Sequence, residues 1–274
     1  MCEELEISRD SYYKWLKRKD SKNRYEINHD SLKPLIQYYY DLSNSTAGYR
    51  QIKDQLQEHE GIVISYYMAY ILKCKTMKLN AVRESSKNKG KYRVTTKDNE
   101  QKYTYQNIAE NIEIDDIGKV ISTDTTEVKL EKDGKQNISF FIDAYSSEIL
   151  VSVIGKSLSS DFIEYNLDLL SKSNYNLNNV VLHSDRGSMY KSGIYKTKTA
   201  EMNLIPSMSA PYTCTHNPWI ETLNGQFKDF IKNNYPKTLD ELQIVLNKFV
   251  YYNNNIKIKK KLKTTPINYR CCHS

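Results

Sequence analysis

Three carboxylates in this 274-residue chain stand where solvation alone does not account for them. Asp124 follows Val120, Ile121 and Ser122 inside an apolar strand pattern, where an unpaired carboxylate is costly to bury. Asp185 closes the run Val180 to Ser184 and is followed by Arg186 and Gly187, so it falls where a strand gives way to a loop. Ligands of open α/β sheets gather at such strand ends. Glu221 lies at the start of a helix with a strong entry signal, Asn217 as N-cap and Pro218 in the first helical position. Carboxylate oxygens suit Mg²⁺ or Mn²⁺, hard ions that keep positions open for water and phosphate oxygens. Two such ions about 4 Å apart activate an attacking oxygen and stabilise a leaving one in an in-line phosphoryl displacement. On residue type alone, the alternative of solvated strand-end and helix-surface acids stays open.

The elements that must carry these side chains are legible from hydrophobic period. Strand patterns cover KVISTDTTEVKL, KQNISFFIDAYS and EILVSVIG, joined as a meander with a Lys-Asp-Gly-Lys hairpin turn at 132–135. A helix over 161–171, the strand NVVLHSD and helices near 190–202, 217–232 and 239–254 complete an α/β arrangement. On the helix from 217, Ile220, Leu223, Phe227, Phe230 and Ile231 share a face that can pack on a sheet. Glu221, Gly225 and Lys228 fall on a neighbouring face, roughly 130° round. Upstream, three helical patterns run between about 31 and 79. Ser31 is read as the cap of the first, with Pro34 in its first turn; Gly61 ends the second and Ser65 precedes the third. Residues 1–20 read as the second half of a helix-turn-helix, or equally as one amphipathic helix with Tyr12, Trp15 and Leu16 at helical spacing.

Charge is unevenly spread. The chain carries +7 overall, made of +7 over 73–102, −6 over 103–227, +7 over 228–274 and −1 over the first 72 residues. Basic segments interleaved with tyrosine, as at Lys89, Lys91, Tyr92 and Arg93, suit a phosphate backbone, with a solvated linker and tail as the plain alternative. A three-helix unit whose last helix runs basic through Lys73, Lys75 and Lys78 fits a major-groove reader. With 39% hydrophobic residues, no apolar run of about 18 and no charged-then-apolar start, the composition excludes a membrane span and a signal peptide. Five scattered cysteines argue against a disulfide framework and for a reducing, cytoplasmic setting.

Sixty residues separate Asp124 from Asp185 and 35 separate Asp185 from Glu221. With that spacing the chain resembles the DDE transposases and retroviral-type integrases. More closely, it is similar to the B-frame transposases of the insertion-sequence-three family, through STAGYRQI (45–52), STDTTEV (122–128), FIDAYS (141–146), HSDRGSMY (183–190), SMS (207–209), NPWIETLNGQFKDF (217–230), YYNNN and KTTPINYR. The resemblance implies an α/β fold with a ribonuclease H-like core, a mixed five-stranded sheet with helices, preceded by an all-α helix-turn-helix domain. The parts expected are a helix-turn-helix remnant at 1–20, a DNA-binding helical domain at 28–80, a basic linker at 81–113, the core at 114–235 and a C-terminal helix with a basic tail at 236–274. The family's metal-binding triad matches Asp124, Asp185 and Glu221, holding Mg²⁺ or Mn²⁺, two ions being expected. Its DNA-contacting lysine matches Lys228. Further DNA contacts are expected at Arg186, Arg50, Lys73, Lys75, Lys78 and Arg93, and support for the triad from His183, Asn217 and His216.

The implied activity is cleavage and strand transfer at the terminal inverted repeats of a double-stranded DNA element. Its implied partners are that DNA and its target, further copies of the chain, and an upstream A-frame protein or fusion. The chain departs from the family pattern at Ile121, Ile71, His216, Ala210 and 255–257. Two other classes stay open. One is a DNA-binding protein without chemistry, either a degenerate transposase or a repressor of transposition. The other is a zinc protein using Cys214, His216, Cys271, Cys272 and His273, although an adjacent Cys-Cys-His lacks the usual paired ligand spacing. A ribonuclease H shares the core but not the helical domain or the 35-residue spacing.

Overall fold

The computed structural model describes residues 8–18, 24–82, 104–209 and 217–273. Contacts divide the chain into a helical unit, Met1–Leu42 with Ala47–Ala81, and an α/β unit made of the rest.

In the helical unit, α1 (Arg9–Arg18) begins after Ser8, whose hydroxyl accepts from the Ser11 amide at 3.1 Å. Helix α2 (Arg24–Leu42) starts upstream of the Ser31 cap read from sequence, so Pro34 lies inside the helix and not in its first turn. Leu32, Ile36 and Tyr39 of α2 are buried, as are Ile52 and Leu56 of α3 (Tyr49–Glu60), the i, i+4 spacing that makes a helix face. Gly61 ends α3 in the left-handed conformation, φ 66°, as its position predicts. Ser65 then caps α4 (Tyr66–Tyr70) by accepting from the Met68 amide at 3.0 Å. The chain continues through a π-helical turn, Ile71–Thr76.

That turn corrects one expectation. Lys73, read as facing DNA, is buried, with its ammonium donating to the Leu79 carbonyl at 2.6 Å and lying 4.6 Å from the Tyr40 ring centre. Ala69, Leu72 and Lys73 stand at i, i+3 and i+4, so the lysine falls on the packed face beside two apolar neighbours. Lys75, Lys78 and Arg50 are exposed.

In the α/β unit, five described strands form one sheet in the order β3-β2-β1-β4-β5. β1 (Val120–Leu130), β2 (Gly134–Asp143) and β3 (Ile149–Gly155) are the antiparallel meander; β4 (Val181–Ser184) and β5 (Ile205–Met208) run parallel to β1. This is the mixed ribonuclease H-like sheet. The hairpin turn sits where expected, with Gly134 at φ 70°.

Alternation along β2 sends Phe140 and Phe141 to opposite faces, and the helices divide accordingly. On one face Phe141 and Ile121 pack with Ile163, Leu167 and Leu170 of α5 (Ser160–Ser171) and Tyr195 of α6 (Gly193–Glu201). On the other, Phe140 meets Phe227 of α7 (Pro218–Ile231) and Phe249 of α8 (Leu239–Tyr251), with ring centres 5.6 and 6.1 Å away. All five apolar positions read from the α7 periodicity are buried.

Two stretches read as linker and tail are built into this unit. Residues 104–113 run beside β5, with the Met208 amide donating to the Gln106 carbonyl, and Ala109 enters the core beside Val120 and Val181. The basic tail folds back as α9 (Pro266–His273), whose Arg270 donates from Nε to both oxygens of buried Glu148 at 3.1 and 3.0 Å. Lys257 reaches Gln226 and Lys259 reaches Asn253, so part of the tail's charge serves the fold. No described helix is long and apolar enough to cross a membrane.

Candidate active site

Register places the first two carboxylates side by side. Val120, Ile121 and Ser122 of β1 pair in parallel with Val181, Leu182 and His183 of β4, and two residues further along stand Asp124, within β1, and Asp185, just past the end of β4. Alternation along β1 then turns Ser122 and Asp124 toward α7, and Thr123 toward the opposite face. The contacts follow that pattern. Ser122 Oγ and Asn217 Oδ1 share a short hydrogen bond, and Asn224 Nδ2 donates to Asp124 Oδ2 at 2.9 Å. On the other side Thr123 Oγ1 meets the hydroxyl of buried Tyr190 at 3.2 Å.

Asn217 differs from its expected role. It precedes the helix as predicted, but its side chain caps no α7 amide. It bonds Ser122 and the Thr123 carbonyl, pinning the helix entry to β1. Asn217, Glu221, Asn224 and Lys228 follow at i, i+4, i+7 and i+11, one stripe along α7. With Asn217 and Asn224 both fixed to β1, Glu221 lies on the stretch between two anchors, and Lys228 one turn beyond.

Electrostatics report the same gathering. Burial pushes the Asp124 carboxyl up to about 7, the charges of Asp185 and Glu221 push in the same direction, and the Thr125 amide and Lys228 oppose them. The Asp185 carboxyl is also raised, first by desolvation, although the residue keeps contact with solvent; the Gly187 amide and Lys191 pull it back. That amide donates to Asp185 Oδ1 at 2.8 Å. A Cβ at Gly187 would stand 3.0 Å from the same oxygen, so the glycine gives the loop room to close on the carboxylate. Tyr190 forms the floor, its hydroxyl kept protonated by burial and by the charges of Asp185 and Asp124.

Of the other residues read from sequence, His183 is fully buried between Ser207 and Ser209, at 2.9 and 3.1 Å. Arg186, expected to reach DNA, is half-buried and donates from Nε to the Ser209 carbonyl at 3.0 Å. Lys75, Lys78 and Arg50 belong to the helical unit. Arg93 and His216 lie outside the described residues, as does Cys214. Sequence reasoning missed Asn224, Tyr190 and Lys191. For Asn224 the signal was available, since it stands seven residues after Asn217 on the same stripe.

The chemistry of the donor set fits a hard divalent cation: three carboxylates, one within β1, one just past the end of β4 and one on α7. Asp124 feels two like charges and the opposing Lys228. Among the described residues no three His, Cys, Asp or Glu side chains form a ready group for one ion.

Residues 115–214 match the integrase core domain family. The 31 kDa protein of insertion element IS600 from Shigella sonnei is 24% identical over 98% of this chain and 97% of its own length. The transposase for insertion sequence element IS629, also from Shigella sonnei, is 25% identical over 97% of this chain and 88% of its own. Among solved structures, the HTLV-2 integrase catalytic core domain in complex with magnesium aligns with a TM-score of 0.44 at 18% identity, over 56% of this chain and 95% of that one. The integrase core match spans the two aspartates and lies inside end-to-end similarity to insertion-element proteins, so the chain is similar to insertion-sequence transposases.

Proposed function

We propose that the protein is a DNA transposase that cuts and rejoins phosphodiesters at the ends of an insertion sequence, with Asp124, Asp185 and Glu221 as its catalytic carboxylates. The observation that carries this is the gathering of like charge: Asp124 within β1, Asp185 just past the end of β4 and Glu221 on the helix pinned to β1, with Asp124 driven up to about 7.

The chain's own groups divide the work. Asn224 holds one oxygen of Asp124, the Gly187 amide holds one of Asp185, and the Asn217 anchor fixes the start of the helix that carries Glu221. Tyr190 closes the site from below and keeps water out on that side. Lys228, exposed on the same helical stripe, offers a positive charge to a DNA phosphate beside the carboxylates. Mg²⁺ or Mn²⁺ bound to these carboxylates supplies Lewis-acid activation of the attacking oxygen and stabilises the leaving one. Exposed Arg50, Lys75 and Lys78 provide phosphate contacts from the helical unit. Joining two element ends calls for more than one copy of the chain, and the similarity to the IS600 and IS629 proteins supports the insertion-sequence setting of that reading.

Mg²⁺-dependent nicking of a duplex carrying the element's terminal repeat tests the proposal. Wild type nicks at the repeat boundary, and Asp185→Asn loses several kcal/mol of transition-state stabilisation, on the order of a thousandfold in rate. Equal nicking by the two proteins rules out the triad. Footprints at the repeat with no nicking by wild type favour the repressor reading.

A further inference from the structure

Ser207, His183 and Ser209 form a chain of hydrogen bonds whose directions can be counted. Ser207 Oγ accepts from the amides of Ile108 at 2.9 Å and Ala109 at 3.2 Å. A hydroxyl has two acceptor positions and one proton. Both acceptors are used, so the proton goes to His183 Nδ1, 2.9 Å away. The neutral ring then carries its own proton on Nε2 and donates it to Ser209 Oγ at 3.1 Å. Ser209 passes its proton on to the Ser184 carbonyl at 3.4 Å, which also accepts from the Ser209 amide at 3.0 Å. The Ser209 carbonyl in turn accepts from Arg186 Nε at 3.0 Å.

All three side chains in this chain of bonds are buried, which makes each unmade bond expensive. Its contacts fall at residues 183, 184 and 186, on both sides of Asp185, while the Asp185 carboxylate is held separately by the Gly187 amide. The other end of the chain grips residues 108 and 109, which run beside β5.

We propose that His183, fixed as its Nε2–H tautomer, is a positioning residue that sets the backbone on either side of Asp185 through Ser209 and locks it to the edge of the sheet through Ser207. It touches neither substrate nor metal. The SMS motif at 207–209 thereby acquires a physical purpose, one hydroxyl within β5 and one just past its end that clamp one imidazole. The proposal rests on the transposase reading for its activity arm alone.

Two measurements on the full chain test it. Long-range ¹H–¹⁵N correlation of histidine-labelled protein should place His183 Nδ1 among unprotonated imidazole nitrogens and Nε2 among protonated ones. In single-turnover nicking at saturating terminal-repeat duplex, Ser209→Ala and His183→Ala should lower the rate on the order of tenfold to a hundredfold, with DNA affinity unchanged, because misplacement of a reacting group costs that much. Ser209→Ala removes a single oxygen and keeps the test readable where His183→Ala does not fold. An Nδ1–H tautomer in wild type overturns the wiring. Wild-type nicking rates in Ser209→Ala, with only its melting temperature lowered, overturn the positioning role. A wild type that does not nick strikes the functional reading instead, and the tautomer still decides the wiring.

Discussion

Two carboxylates on adjacent strands, fully buried Asp143 at the end of β2 and half-buried Asp124 within β1, have been given opposite environments. Asp143 is fully buried and saturated with donors: the amides of Gly118 at 3.0 Å, Tyr145 at 3.1 Å and Ser146 at 2.7 Å, and the hydroxyls of Ser146 at 2.8 Å and Tyr175 at 2.7 Å. Near it, buried Glu148 is raised by burial but held by Arg270. Among the described residues Asp124 has one side-chain donor, Asn224, whose own Oδ1 is buried without a partner there, and it faces two like charges. Folding alone rewards the first arrangement and penalises the second. A carboxylate in the second arrangement can be balanced by a proton or a cation, and the proposed function assigns it the cation.

Breaking the satisfied end should cost the most stability. Asp143→Ala strands five donors, two of them on buried Ser146 and three on half-buried residues, so chemical denaturation should show a loss of about 3–5 kcal/mol. Arg270→Met leaves Glu148 buried beside no cation; Arg270 is partly exposed, so the loss should be smaller, about 1–3 kcal/mol, and should shrink as acid protonates the glutamate. The site end should respond with the opposite sign. Raised from 3.8 to about 7, the Asp124 carboxyl binds its proton more tightly in the folded state, so between those values stability falls as pH rises. Asp124→Asn should therefore be more stable than wild type at pH 8, by about 1–2 kcal/mol, with the difference gone near pH 4. A destabilised Asp124→Asn at pH 8 would place Asp124 with Asp143, among the structural acids.

Sequence legibility divides along similar lines. The strands around Asp124 and Asp185 and the apolar face of α7 show in local period, because each buries one face against a partner that the period alone requires. The proposed triad is picked out by its 60- and 35-residue spacings and the family resemblance they carry, since such spacings are a property of the chain itself. β5, four residues with Pro206 among them, is too short to display a period. Lys73 follows the geometry of its helix face, which the charge pattern contradicts, and Lys257 and Arg270 are drawn inward by Gln226 and Glu148, partners distant in sequence. The clamp on His183 belongs to the same class: His183 and Ser207 lie 24 residues apart and meet only because β4 and β5 pair.

The most direct test of the contrast is the melting temperature of the full chain titrated with Mg²⁺ at pH 8 and pH 5.5, in wild type and in Asp124→Asn. Binding of a cation to the folded site raises the melting temperature by mass action, and it requires ionised carboxylates. The account predicts a rise in wild type that is larger at pH 8 than at pH 5.5 and absent from Asp124→Asn. Equal shifts in both proteins, or none in wild type at pH 8, would contradict it.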